Sequence, residues 1–335
     1  MTGEGRDMAV DSWGRARTIL GAAGLPADRL TGVTPLTGGT YNAVEELRLA
    51  DGGRYVLKVP PAPTVPGLRY ERRLLVGEAE FYRGAAQADV PAPRVLALSG
   101  PAADVPYLLM TACPGTTWDD GALNATEQGA LRAELGRAVA RLHRVTGPGF
   151  GYPSGALGPL AADWRTAFTA MFDAVLDDAR HYRARLPRPV DEIALAVRAA
   201  GGALEEVTEP CLVHFDLWPG NILVDRSSGA PRVSGLIDGE RMFWGDPAAD
   251  FVSLALLGDI RKDEAFLAGY REAGGRADFD RPASLRLALY RAYLYMIMLT
   301  ETVPRAVGEE HEAWVRQMVD PELLAALAEI EELTP

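Results

Sequence analysis

The polar residues whose types and spacing could do chemistry lie between Cys211 and Asp238. His214, Asp216, Asn221 and Asp238 sit between and after three short apolar runs, Cys211 to Val213, Ile222 to Val224 and Val233 to Ile237, which read as buried strands. Asp216 and Asn221 stand in His-x-Asp-x4-Asn spacing, and Gly239 follows Asp238 and lets the backbone turn away. This is a pattern for phosphoryl transfer. Mg2+ is a hard cation that takes oxygen ligands, so Asn221 and Asp238 are expected to supply a carboxamide and a carboxylate. Asp216 is left to orient an attacking hydroxyl and accept its proton. His214 is expected to brace the loop through hydrogen bonds, the alternative being a role as base. Asp and Asn also cap strands as ordinary turn residues, but the compound spacing argues for a site.

The segment from His214 to Asp238 resembles the catalytic segment of the aminoglycoside phosphotransferase, choline kinase and fructosamine kinase superfamily, as does Gly245-Asp246-Pro247-Ala248-Ala249-Asp250. These are small-molecule kinases with a protein-kinase-like fold. The resemblance covers most of the chain and implies a two-lobed α+β architecture. Residues 1–112 would form a small antiparallel-sheet, nucleotide-binding lobe with a leading helix, and residues 113–335 a larger, mainly helical lobe for catalysis and acceptor binding. It further implies ATP or GTP as phosphate donor and Asp250 as a brace for the catalytic loop. Thr111, Ala112 and Cys113 would be the hinge whose backbone meets the base, with Met110 near its pocket. Two positions depart from the family pattern: Phe215 stands where glycine is frequent, and Gly239 where an aromatic often sits. Both alter pocket shape and leave the reaction type standing.

The elements that must position these groups are legible in outline. Gly32 to Pro60 reads as strand-like runs with a hairpin turn at Asp51-Gly52-Gly53. Gly38, Gly39 and Thr40 lie in the first connection, where adjacent glycines let backbone N–H groups approach phosphate oxygens, although Gly-Gly is also an ordinary turn. The chain has two lysines among 34 basic residues, and Lys58 falls in the strand-like run Tyr55 to Val59. A compact ammonium there suits nucleotide phosphates, whereas the alternative is a snorkelling edge-strand lysine. A helix from about Tyr70 to Gln87 follows, and by resemblance its Gly-Glu-Ala-Glu run makes Glu78 the acidic partner of Lys58, with Glu80 as the fallback. Further helices are expected over Ser12 to Ala23, Ala125 to Arg144, Trp164 to Tyr182, Pro187 to Leu204, Asp263 to Glu272, Arg281 to Thr302, Glu309 to Val319 and Pro321 to Leu333. Asp246 with Pro247 is a sound helix start. The stripe Trp164, Phe168 and Phe172 reads as core ahead of a substrate platform.

Composition narrows the classes. With 335 residues and 48% hydrophobic content the chain can bury a sizeable core, and its net charge of -12 disfavours nucleic acid or an anionic membrane as partner. Cys113 and Cys211 both lie in apolar segments and read as free buried thiols. The opening residues carry no apolar signal core, so a cytoplasmic monomer or homodimer is expected. No G-x-x-x-x-G-K-[ST] loop occurs, and the Arg of His-Arg-Asp and an Asp-Phe-Gly segment are missing, which sets aside P-loop enzymes and protein kinases. By resemblance the acceptor is a hydroxyl on a polar natural product, an aminoglycoside, macrolide or nucleoside antibiotic inactivated by phosphorylation. A metabolite kinase acting on choline, a fructosamine or a sugar is the alternative. A catalytically inactive binding protein is a third reading, disfavoured because Lys58, Asp216, Asn221 and Asp238 are all present. The acidic side chains Glu301, Glu309, Glu310, Glu312, Asp320 and Glu322 either line a cleft for a cationic acceptor or are solvated surface.

Overall fold

The structure, a computed structural model, describes residues 3–36, 41–100 and 105–334. The chain divides into two compact units, one of Met1–Val65 with Pro93–Cys113 and one of Pro66–Ala92 with Pro114–Pro335.

The first unit is one helix on a five-stranded sheet. Helix α1 (Gly3–Ala22) precedes strands β1 (Leu30–Pro35), β2 (Ala43–Leu49), β3 (Arg54–Val59), β4 (Val95–Leu98) and β5 (Leu108–Thr111), which pair antiparallel in the order β1-β2-β3-β5-β4. Ala16, Ile19 and Leu20 recur at helical spacing and close over Leu30, Leu47, Leu49, Leu57 and Leu109 of the strands. The β2–β3 hairpin turns where expected: Gly52 has φ 88° and Asp51 Oδ1 accepts the N–H of Gly53 at 3.0 Å.

The second unit is mainly helical. Its helices are α2 (Leu74–Gln87), α3 (Ala125–Leu142), α4 (Trp164–Tyr182), α5 (Val190–Ala199), α6 (Asp250–Leu254), α7 (Glu264–Glu272), α8 (Arg281–Glu301) and α9 (Glu309–Leu333). Two small sheets flank the loops that hold His214, Asp216, Asn221 and Asp238. Strands β6 (Thr116–Thr117), β8 (Ile222–Asp225) and β9 (Arg232–Leu236) form one, and β7 (Cys211–Val213) pairs with β10 (Phe243–Gly245) in the other. Trp164, Phe168 and Phe172 are buried against Tyr290, Tyr293 and Phe243, so that stripe is core. No helix among the described residues is long and apolar enough to cross a membrane.

Four element boundaries differ from the periodicity: helix α1 starts at Gly3, ahead of the expected start at Ser12, and three others differ for local reasons. The expected helix from Tyr70 begins at Leu74, because Arg73 turns left-handed (φ 63°) after a 3-10 turn whose Glu71 carboxylate accepts the N–H of Leu68 at 2.6 Å. The helix read over Pro187 to Leu204 ends at Ala199 and tightens into a 3-10 turn through the helix-weakening Gly201-Gly202 pair. Pro321 does not split α9. Val315, Val319, Leu323, Leu327 and Ile330 form one buried stripe, and that packing outweighs the hydrogen bond a proline forfeits. The stretch 66–92, expected in the N-terminal lobe, clusters with the larger unit because glycines on α2 allow close contact there. A Cβ on Gly84 would meet Leu212 Cδ2 at 2.5 Å, and one on Gly77 would stand 3.5 Å from the Glu240 carbonyl oxygen.

Candidate active site

The loop between β7 and β8 carries His214, Asp216 and Asn221, and Asp238 follows β9. Its backbone is fixed by one buried carboxylate. Asp250, fully buried in α6, accepts the N–H of Phe215 at 2.7 Å and that of His214 at 3.1 Å, and its Oδ2 meets His143 Nε2 at 2.9 Å. Ser253, one turn on, accepts the N–H of Leu217 at 2.9 Å. His214 has both ring nitrogens engaged. Nδ1 lies 3.1 Å from the Asp216 N–H, which donates to it, so Nε2 carries the proton and donates to the Ile237 carbonyl at 2.9 Å. That arrangement braces the loop and leaves no lone pair for a base. Phe215, in the family's glycine position, has φ 64°, the left-handed region where a side chain costs energy, and its ring is buried against Phe243 and Tyr293.

Asn221 is oriented by Asp216. Its Nδ2 donates to the Asp216 carbonyl oxygen at 2.8 Å and to Oδ2 at 3.1 Å, and its Oδ1 accepts no hydrogen bond among the described residues. The Asp216 side chain is 21% exposed; burial pushes its carboxyl above the ordinary range, while the Arg241 guanidinium pulls the other way. Asp238 also sits left-handed, at φ 62°, and donates its N–H to Tyr82 Oη at 3.0 Å. Tyr82 in turn donates to Glu78 Oε1 at 2.7 Å. Oxygens of Glu78, Asp238 and Glu240 lie within 4.8 Å of one another. Glu78 is fully buried and turned toward this group, whereas Glu80 is 39% exposed and pairs with Arg83 at 3.5 Å. Tyr82 and Glu240 escaped the sequence reading, although a tyrosine one helical turn after Glu78 shares its face.

Arg241 is the other residue that spacing alone did not single out. It ends the 3-10 turn that starts at Gly239, and its guanidinium lies between the loop and the end of α8. Its Nη2 donates to Glu301 Oε2 at 3.0 Å, and its Nε stands 3.9 Å from Asp216 Oδ2. Glu301 also pairs with Arg305 at 3.0 Å, which reaches buried Glu71 at 2.6 Å. Of the acidic residues expected near an acceptor, Glu301 is therefore beside Asp216. Glu309, Glu312 and Asp320 line a surface hollow with Arg185 and Arg316 instead. Asp246 is occupied structurally: it accepts from Arg286 at 2.9 Å, Tyr290 at 2.8 Å and the Ala248 N–H at 3.0 Å, tying the Gly-Asp-Pro turn to α8.

In the first unit, Lys58 is buried on β3, registered between Val44 of β2 and Leu108 of β5. Met110 is buried on β5. The N–H groups of Thr111 and Ala112 are spent on the carbonyls of Arg94 (3.0 Å) and Arg54 (3.1 Å). Of the three expected hinge N–H groups, only that of Cys113 has no backbone partner among the described residues. Gly38, Gly39 and Thr40 lie outside the described residues.

A sequence profile described as the Phosphotransferase enzyme family matches residues 32–286. A protein named "Probable ketoamine kinase" from Lactiplantibacillus plantarum is 30% identical over 291 residues, 83% of this chain and 91% of that protein. Viomycin phosphotransferase from Streptomyces vinaceus is 28% identical over 219 residues, 61% of this chain and 68% of that one. Among solved structures, aminoglycoside phosphotransferase APH(4)-Ia in complex with ADP and hygromycin B superposes with a TM-score of 0.60 at 18% identity, covering 94% of this chain and 98% of that one, which shows a shared fold. The chain belongs to the phosphotransferase enzyme family and is a small-molecule kinase.

Proposed function

We propose that the protein transfers the γ-phosphate of ATP or GTP to a hydroxyl of a ketoamine, a polyhydroxylated amine. Asp216 orients the hydroxyl and takes its proton, Lys58 holds nucleotide phosphates, and Asn221 with Asp238 holds Mg2+. The fit to Mg2+ rests on oxygen chemistry: an amide whose N–H groups are both committed, leaving its oxygen to donate, and a carboxylate grouped with two others. When bound, such a cation neutralises phosphate charge. The residues do the rest: Asn221 holds Asp216 in place, and His214, Asp250 and Ser253 fix the loop that carries both.

The observation that carries the acceptor class is the setting of Asp216. On its α8 side its neighbours are a guanidinium and that guanidinium's own carboxylate partner, two charges that offset each other, which favours a hydroxyl-rich acceptor over a polycation on that side. The match to a ketoamine kinase over most of both chains supports it. The antibiotic reading is the second one, supported by the viomycin phosphotransferase match. A panel of fructosamines, choline, aminoglycosides, viomycin, macrolides and nucleoside antibiotics, each with ATP and GTP and read by phosphate incorporation, tests both. Selective turnover of fructosamines with weak salt dependence is expected, and selective turnover of an antibiotic would replace the first reading by the second.

A further inference from the structure

We propose that Arg241 is an acceptor-binding residue: it grips an oxygen adjacent to the reacting hydroxyl, so the acceptor presents a vicinal diol. The inference deepens the acceptor class proposed above and rests on it. Asp216 lies between two differently equipped sides. Toward α2 stand the grouped carboxylates of Glu78, Asp238 and Glu240, suited to a cation and the phosphates it carries. Toward α8 stands Arg241, anchored by Glu301. Only Nη2 of Arg241 is hydrogen-bonded among the described residues; its Nε contact to Asp216, at 3.9 Å, is too long to be a hydrogen bond, and Nη1 meets no acceptor. Neither nitrogen is sealed from solvent without a partner, since Arg241 is absent from the buried unsatisfied groups of the described residues. The guanidinium therefore holds donors in reserve beside the residue that must meet the acceptor hydroxyl.

The anchoring makes those donors a built feature. The Arg241 side chain is 12% exposed and Glu301 is held in turn by Arg305, itself bonded to Glu71. A fork fixed in this way loses little rotamer freedom when it binds. The ligand chemistry follows from the donors: an oxygen acceptor, neutral or anionic, within reach of the hydroxyl at Asp216. A neighbouring hydroxyl of a polyol supplies one. An isolated hydroxyl does not.

The test compares a fructosamine with its analogue lacking the hydroxyl next to the phosphorylated one, in the wild-type protein, Arg241→Gln and Arg241→Lys. The wild type is expected to prefer the intact diol by on the order of 10- to 100-fold in kcat/KM, the worth of a hydrogen bond to a charged donor. In Arg241→Gln the acceptor KM rises about tenfold or more while the nucleotide KM stays within about twofold, and the preference for the diol falls to below about threefold. Arg241→Lys, which keeps a donor and the charge, recovers part of the preference and covers the case in which Arg241→Gln fails to fold. A preference that survives in both variants overturns the proposal, and so does a nucleotide KM that rises with the acceptor KM, which would put Arg241 on the phosphates. If the wild type refuses fructosamines, the ketoamine reading falls by itself. The same ratio is then measured on whichever panel member is phosphorylated, against its deoxy analogue, and an acceptor without a neighbouring oxygen overturns Arg241's role as well.

Discussion

Phe81 and Gly239 contend for one space: a Cβ on Gly239 would stand 2.4 Å from Phe81 Cδ1. Gly239 stands where the resemblance expects an aromatic after Asp238, and an aromatic from α2 fills the place, its ring edge-on to His214 with centroids 4.6 Å apart. Gly239→Ala should therefore destabilise the fold by about 1–3 kcal/mol, the usual cost of overpacking. Phe81→Leu alone should also destabilise, but the double variant should be more stable than the sum of the two losses implies. A thermodynamic double-mutant cycle reads the coupling, and strict additivity would mean that the two side chains do not share the space.

Asp216→Asn should lower kcat by about 10²- to 10⁴-fold while nucleotide-induced thermal stabilisation is retained, because a general base contributes that much to rate and its amide contributes nothing to proton transfer. The wild-type rate should also fall on acidification. Burial raises the Asp216 carboxyl, so the inactive protonated form accumulates at a higher pH than for an ordinary aspartate. The acidic limb of the kcat profile should therefore lie above the usual carboxylate range. An acidic limb at or below that range, or near wild-type turnover by the variant, would remove Asp216 from the base role.

The polar residues proposed for catalysis between β7 and β8 stand out in the sequence because such chemistry would demand fixed residue types at fixed spacing along one loop. His214, Asp216 and Asn221 are brought together by local hydrogen bonds that such spacing implies. Arg241, Tyr82 and Glu240 do not stand out in this way, since their placement comes from where α2 and α8 pass in space, and nothing in a one-dimensional pattern records that. The same distinction governs the fold. Strands β7 to β9 show as short apolar runs and the long amphipathic helices by their period, but β6 is only a pair of threonines and β10 is not set off as a run of its own, and the continuity of α9 through Pro321 depends on a buried stripe.

Asp250→Ala should cost about 3–5 kcal/mol, because it strips partners from two backbone N–H groups and from His143 in a fully buried setting. Asp250→Asn keeps the shape but can still accept at only one oxygen, so it should lose less stability and still lower kcat by loosening the loop. Equal urea midpoints for wild type and Asp250→Ala would show that the loop is held by something else.

Both thiols should resist alkylation in the folded protein. Burial pushes the Cys113 thiol up to about 11, and burial with Glu209 and Asp246 nearby pushes Cys211 up to about 12. At pH 8 the thiolate of Cys113 is then roughly one part in a thousand, and that of Cys211 less. Mass spectrometry after iodoacetamide treatment at pH 8 should find neither labelled without denaturant and both labelled in urea. Rapid native labelling of Cys113 would show that its sulfur is not held in an apolar environment.

The last expectation concerns where the cation sits, since two oxygen sets compete for it. Asn221 and Asp238 are the pair that the loop pattern nominates, and Glu78, Asp238 and Glu240 are the group that lies within 4.8 Å in the structure. Asp238 is common to both, so Asp238→Asn should raise the Mg2+ concentration for half-maximal nucleotide-induced stabilisation under either arrangement. Asn221 and Glu240 discriminate. If the amide oxygen left open by the bonds to Asp216 is a ligand, Asn221→Ala should shift that concentration by about tenfold or more and Glu240→Gln by much less. The reverse order would move the cation into the carboxylate group and leave Asn221 with a single task, holding Asp216. Asn221→Asp sharpens the comparison: it keeps an oxygen for the metal but loses both N–H donors to Asp216 and sets a second charge beside it. Mg2+ affinity should then survive while kcat falls, which separates the metal role of this side chain from its hold on Asp216.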